Sequence, residues 1–144
     1  MVTEVNVGNV VFGDQHPFAL LAGPCVLEDL DTTLHIAESL KKLTDQLGIG
    51  FVFKASYDKA NRTSVTSFRG PGIDAGLEML AKVKREFDVP VVSDVHDITQ
   101  VEAAAQVLDI IQIPAFLCRQ TDLLVAAGKS GRVVNVKKGQ FQAP

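Results

Sequence analysis

The chain has 144 residues, 47% of them hydrophobic and 22% charged, with a formal net charge of −3. That length is one ordinary domain with room for a sizeable core. High apolar content with low net charge excludes an unstructured chain, and 11 Gly and 6 Pro without sustained heptads exclude a coiled coil.

In chain order, Val5 to Phe12 alternate apolar and polar and then meet Gly13-Asp14, the pattern of a short hairpin arm within residues 1–16. Phe18 to Ala22 is a compact apolar run stopped by Gly23-Pro24, as expected of a buried strand and a turn. Asp29 or Asp31 can cap a helix that carries Leu34, Ala37, Leu40, Leu43 and Leu47 at helical spacing and stops at Gly48. Phe51 to Phe53 is a second strand ending at Lys54, and a polar segment runs from there to Gly72. Ile73, Leu77, Leu80, Val83 and Phe87 mark a second amphipathic helix. Val89 to Val92 is a third strand, followed by Ser93-Asp94-Val95-His96, and Thr99 to Leu108 is a short alanine-rich helix. Ile110, Ile111 and Ile113 form a fourth strand closed by Pro114. Thr121 caps a helix to about Ala127, and Val133 to Val136 is a fifth strand ending in Lys137-Lys138.

Apolar strands that alternate with amphipathic helices mean parallel βα units in an α/β fold. A doubly wound sheet and a (β/α)8 barrel both satisfy that pattern. Lys54, Asp94 with His96, Gln112 and Lys137 all close a strand at its C-terminal end. Polar groups from successive strands at one end are the mark of a barrel's catalytic face, whereas an open sheet gathers its site at one switch point. A complete barrel typically has about 250 residues, so on the barrel reading this chain, with about five strands and four helices plus the hairpin, is incomplete.

The slight acidity speaks against a nucleic-acid partner held by bulk charge, so an anion site must come from local clustering of Lys and Arg. The longest uncharged apolar stretch, Pro17 to Leu27, is shorter than the about 18–20 residues of a membrane span. No basic-then-apolar run opens the chain, and Cys25 and Cys118 make no disulfide framework. A reduced, cytoplasmic protein without a membrane partner is expected.

The loop KASYDKANRTS, Lys54 to Ser64, places Lys54, Lys59 and Arg62 beside Ser56, Thr63 and Ser64. Cations and hydroxyls leaving a strand's C-terminal end suit a phosphorylated ligand, with Arg as a bidentate fork and Lys as a compact charge. Asn61 can read a substrate hydroxyl. The same residues also suit a solvated loop whose charges face water. Asp94 and His96 lie two apart at a strand end, so they point the same way. They can share a proton, orient a lysine or bind a metal, or form a local hydrogen-bonded pair. No CxxC or HxxxH spacing exists, and a lone cysteine is more often a small buried residue than a ligand.

Six motifs then carry a resemblance: AGPCVLE (Ala22 to Glu28), FKASYDKANRTS (Phe53 to Ser64), FRGPG (Phe68 to Gly72), SDVH (Ser93 to His96), DIIQIPAFLCRQTDL (Asp109 to Leu123) and NVKKGQF (Asn135 to Phe141). Together they resemble the 3-deoxy-D-manno-octulosonate 8-phosphate synthases, also called 2-dehydro-3-deoxyphosphooctonate aldolases. The resemblance implies a single (β/α)8 barrel domain, of which residues 1–144 would be the N-terminal part, that condenses phosphoenolpyruvate with arabinose 5-phosphate, releasing phosphate, in the synthesis of lipopolysaccharide precursors. It implies Lys54, Ser56, Gln112 and Lys137 as phosphoenolpyruvate contacts. Lys59 and Asn61 would lie near the sugar's aldehyde and hydroxyls, Arg62 and Ser64 on its phosphate, and Asp94 and His96 behind the reacting carbons. Lys59, Asn61, Asp94 and His96 are thereby expected to carry the catalysis. Arg119 is implied to reach a neighbouring subunit of a homotetramer.

Cys25 resembles the thiolate ligand of a metal-using branch, and Gly139 after the lysine pair points the same way. A divalent transition metal is implied, with His, Glu and Asp ligands in the family's second half, outside this chain. An Arg after the sixth strand also lies outside it. Relatives that use erythrose 4-phosphate share the Lys-x-Arg-Thr-Ser core but read Lys-Pro-Arg where this chain has Lys59-Ala60-Asn61-Arg62. The five-carbon sugar is therefore the expected aldehyde. The erythrose 4-phosphate relative and an inactive sugar-phosphate-binding half-barrel are the alternatives.

Overall fold

The computed structural model describes residues 3–143. Two short strands, β1 (Val5–Val7) and β2 (Val10–Phe12), pair antiparallel with Val7 opposite Val10. The hairpin is there, but its turn is Gly8-Asn9, inside the alternating stretch and not at Gly13-Asp14. The first two residues of the expected arm lie outside the described ones.

Five further strands, β3 (Ala19–Ala22), β4 (Gly50–Lys54), β5 (Val91–Asp94), β6 (Ile110–Ile113) and β7 (Val133–Val136), form one parallel sheet in sequential order. Four helices connect them: α1 (Leu30–Leu47), α2 (Ile73–Phe87), α3 (Ile98–Val107) and α4 (Thr121–Lys129). Strand order never reverses, so the sheet lacks the switch point of a doubly wound fold. Each new strand adds at the same edge, as in a barrel under construction.

Strand alternation sorts the core into two layers. Phe51, Phe53, Val91, Ile111 and Ile113 face the helices and pack with Leu77, Leu80, Val83, Val101 and Leu123. Val52, Val92 and Ile110 face the other way and are covered by Val7 and Val10 of the hairpin. The concave face is thus sealed at the strands' N-terminal end, because a parallel sheet must bury both faces.

Helix ends follow local chemistry. Asp29, not Asp31, caps α1, its carboxylate accepting from the backbone N–H and the hydroxyl of Thr32, each at 2.8 Å. Gly48 ends α1 in the left-handed conformation. Leu43 and Leu47 depart from the expected core stripe and are exposed. Ala37 is buried and Leu34 and Leu40 pack on the core as expected, while Thr33 and Thr44 are the other buried residues of α1. The threonines satisfy their hydroxyls on carbonyls four residues back, Asp29 at 2.7 Å and Leu40 at 2.9 Å. Helix α3 starts one residue before Thr99 because Asp97 caps it. Thr121 does not cap α4. It is the first helical residue, and Gln120 precedes it without a side-chain cap bond.

Strand β5 is shifted two residues past the expected Val89–Val92. Pro90 has no N–H for the ladder, and the Val91 N–H is taken by the Asp109 carboxylate at 3.0 Å. Ser93 and Asp94 consequently lie within the strand.

Strands β3 and β7 are the sheet's two edges. Unpaired parallel edges recruit other strands. The 144 residues prepared by themselves are therefore expected to self-associate. Light scattering coupled to gel filtration checks this, and a monodisperse monomer with cooperative unfolding would refute it.

Candidate functional site

At the C-terminal end of the strands opens a cleft of about 510 Å³. Its cationic lining is Lys54 at the end of β4, Lys59 and Arg62 in the following loop, and Lys137 just past β7. Asn61, Asp94, His96 and Gln112 supply its polar uncharged and acidic groups, and Cys25 reaches it from the turn after β3. Four cations converge although the whole chain carries a net charge of −3.

The rigid floor explains the convergence. Lys54 is the last residue of β4 and half-buried. Burial pushes its ammonium below the usual lysine range, Asp94 opposes that shift, and Lys59 and Lys137 reinforce it. Asp94 is 7% exposed, and a carboxylate this deep requires donors. It accepts from the Ser56 hydroxyl at 3.1 Å and from the Gln112 amide nitrogen at 2.9 Å. The Gln112 oxygen in turn accepts from the Asn135 amide at 3.0 Å. His96 faces Asp94, its Nε2 lying 3.8 Å from Oδ2, while its Nδ1 is buried without a partner.

The loop between β4 and α2 is held at its root. Tyr57 is fully buried, and its hydroxyl donates to the Gln100 side chain at 3.0 Å. Gln100 also accepts the His96 backbone N–H at 2.8 Å, so the loops after β4 and β5 share one anchor. Arg69 forks onto Asp58 through Nε at 2.8 Å and Nη2 at 2.5 Å, which holds the Asp58 carboxyl below the usual carboxylate range. Residues 60–66 above this root are exposed.

Three expected contacts lie outside the cleft lining. Ser56 is fully buried beneath it and bonded to Asp94. Ser64 is exposed and bonded to Thr66. Arg119 is exposed and lines a separate hollow with His96, Asp97 and Thr121. Sequence reasoning missed the apolar wall of the cleft, Pro114 to Leu117, where a 3₁₀ turn over Ala115–Leu117 follows β6. It also missed Gln140 in the lining and Asn135 behind Gln112. The position of Asn135 two residues before Lys137, on the same face of the strand, was the available signal.

Cys25 is exposed at the cleft, unlike a structural core cysteine. Among the described residues no group of three or more His, Cys, Asp or Glu side chains can hold a metal ion. No helix among the described residues is long and apolar enough to cross a membrane.

A family model described as the DAHP synthetase I family matches residues 2–144. The chain is 62% identical over its whole length to a 2-dehydro-3-deoxyphosphooctonate aldolase of Syntrophotalea carbinolica, covering 52% of that protein. It is 63% identical to the protein of the same name from Citrifermentans bemidjiense, covering 53% of it. Against the one from Fusobacterium nucleatum it is 55% identical over 143 residues, covering 51%. The chain spans about half the length of the curated relatives it matches.

Gly23 sets the approach of β3 to Lys54. A Cβ there would lie 2.0 Å from the Lys54 carbonyl oxygen. In the complete polypeptide that carries this chain, Gly23→Ala is expected to cost about 1–3 kcal/mol or more, since overpacked sites of this kind force backbone shifts. Urea denaturation measures the loss, and wild-type stability would contradict the contact.

Proposed function

The chain belongs to the DAHP synthetase I family, and from that premise we propose that it forms the first half of a cytoplasmic (β/α)8 enzyme that condenses phosphoenolpyruvate with arabinose 5-phosphate. The products would be 3-deoxy-D-manno-octulosonate 8-phosphate, a lipopolysaccharide precursor, and phosphate. The observation that carries this reading is the convergence of Lys54, Lys59, Arg62 and Lys137 on one cleft beside Asp94 and His96. The names of the curated relatives support it.

The two substrates bring two phosphates and a carboxylate. Fixed cations at the mouth of a partly buried cleft offset that charge without reorganisation. Lys54, Gln112 and Lys137 line the floor and would hold phosphoenolpyruvate. Lys59, Asn61 and Arg62 lie in the loop and would hold the sugar phosphate. Ser56 supports the site from beneath by fixing Asp94, and Ser64 would reach the sugar phosphate only if its exposed loop closes. In the reaction, C3 of phosphoenolpyruvate bonds to the aldehyde carbon, and the aldehyde oxygen takes a proton. Water adds at C2, and the C2–O bond to phosphate breaks. Holding two anions in register lowers the entropic part of the barrel's task, a contribution of several kcal/mol, on the order of 7 or more in well-oriented systems. The complete enzyme would be a homotetramer in which exposed Arg119, outside its own cleft, reaches a neighbouring subunit.

Cys25 would contribute one thiolate to a divalent transition metal, the remaining ligands coming from outside these residues. A metal bound there would supply Lewis-acid polarisation. In the complete polypeptide, Cys25→Ser is expected to lose most of the bound metal while circular dichroism stays unchanged, because a hydroxyl is a poor ligand for a soft metal. Unchanged metal content by elemental analysis would remove Cys25 from the site.

Asn61 tests the choice of aldehyde. Initial rates with arabinose 5-phosphate and erythrose 4-phosphate are expected to favour the former. Asn61→Ala should cost about 1–3 kcal/mol in kcat/KM for arabinose 5-phosphate, the penalty for deleting one partner of a hydrogen bond, and leave the KM for phosphoenolpyruvate unchanged. Equal losses for both substrates would defeat the assignment.

A further inference from the structure

The floor of the cleft is crossed by one hydrogen-bonded row. Asp94 on β5 pairs in register with Gln112 on β6, and Gln112 pairs with Asn135 on β7. Ser56, just beyond β4, completes the row through its hydroxyl on Asp94. Two of these links join side chains of neighbouring strands and the third starts two residues past β4, so all depend on the register of the sheet.

Gln112 is the asymmetric member. One end of its amide accepts and the other donates. A carboxylate only accepts, so Gln112 meets Asp94 favourably through its NH2 end alone. The Gln112 oxygen then needs a donor of its own, because Gln112 is 4% exposed and cannot turn to bulk water. Asn135 supplies that donor at 3.0 Å. This is the one side-chain hydrogen bond formed by Asn135 among the described residues. Nε2 of Gln112 carries two hydrogens and spends one on Asp94. Gln112 lines the cleft, and the second hydrogen remains for a ligand oxygen there.

We infer that Asn135 is a positioning residue of this enzyme: by donating to the Gln112 oxygen it locks the amide in the orientation that Asp94 sets, the one that presents an N–H to the substrate in the cleft. The inference rests on the functional reading above and extends it to a residue that touches no substrate. Removing the donor leaves the Gln112 oxygen buried without a partner, so only Asp94 still holds the amide. Replacing it with a carboxylate sets an acceptor at each end of Gln112, and whichever way the amide lies one carboxylate faces its oxygen.

The test uses the complete polypeptide with Asn135→Ala, Asn135→Asp, Gln112→Ala and the Asn135→Ala/Gln112→Ala pair. Asn135→Ala is expected to lower kcat/KM for phosphoenolpyruvate about tenfold to a hundredfold, the scale of a misplaced contact. Asn135→Asp should lower it further although it is closer to Asn in shape. In the Gln112→Ala background, Asn135→Ala should add nothing. A packing role predicts the reverse order of Asp and Ala and multiplying losses in the pair, and either result overturns the inference. So does a loss that merely follows the melting temperature across the series. The side-chain amide resonance of Gln112 in ¹⁵N NMR should move in both Asn135 variants, and a fixed resonance also overturns it. A wild-type protein that condenses neither aldehyde while that resonance still responds overturns the functional reading and leaves the contact standing.

Discussion

A carboxylate buried at the top of a parallel sheet constrains everything around it. Asp94 is nearly inaccessible, and leaving such a group without donors would cost several kcal/mol. Ser56, just past β4, and Gln112 on β6 meet that requirement from either side. Each donor is placed by parallel register, so the site exists only when β4, β5 and β6 are aligned to the residue. A slip of one residue would turn Asp94 toward the helices and place an apolar neighbour at the cleft.

The lower half of the sheet secures that alignment by burying both faces. Four helices cover one face through Ala37, Leu80, Val101 and Leu123. The hairpin covers the other, with Val7 and Val10 against Val52, Val92 and Ile110. Water is thereby kept from the layer directly beneath Lys54 and Asp94. The hairpin is small, yet it occupies the position on which the dryness of the floor depends.

Electrostatically the molecule is divided. Acidic residues are spread over the chain, with Asp94 alone among them lining the cleft where four cations meet. Low-dielectric walls with one sign of charge focus a field toward an anionic ligand. The depressed lysine at position 54 records the cost of that gathering, since burial and two neighbouring lysines oppose its charge while Asp94, and to a lesser degree Cys25, relieve it. Ligand anions would relieve it further. The loop carrying Lys59 and Arg62 is tied at its root by Tyr57 and Arg69 and exposed at its tip. That arrangement suits a segment whose cations meet a ligand arriving from solvent.

Much of this was legible in the amino-acid order. Apolar runs that end in Lys54, Asp94, Gln112 and Lys137 marked both the strands and the end at which the cleft opens, because period-two alternation and a polar stop are local properties of the chain. Asp29 and Gly48 likewise marked the ends of α1 through their own side-chain and backbone chemistry. What stayed hidden was set by partners distant in sequence. Ser56 reads as a loop hydroxyl and lies fully buried because Asp94, 38 residues away, needs a donor. Asn135 reads as one polar residue among valines and becomes the partner of Gln112, 23 residues earlier. Leu43 and Leu47 read as core and are exposed, because the stripe that meets the sheet runs through Thr33, Ala37 and Thr44. The sequence by itself determined which residues alternate, where elements stop and which groups carry charge. Only the tertiary structure decided depth and hydrogen-bond partner, because both follow from the register between strands that the chain connects through whole helices.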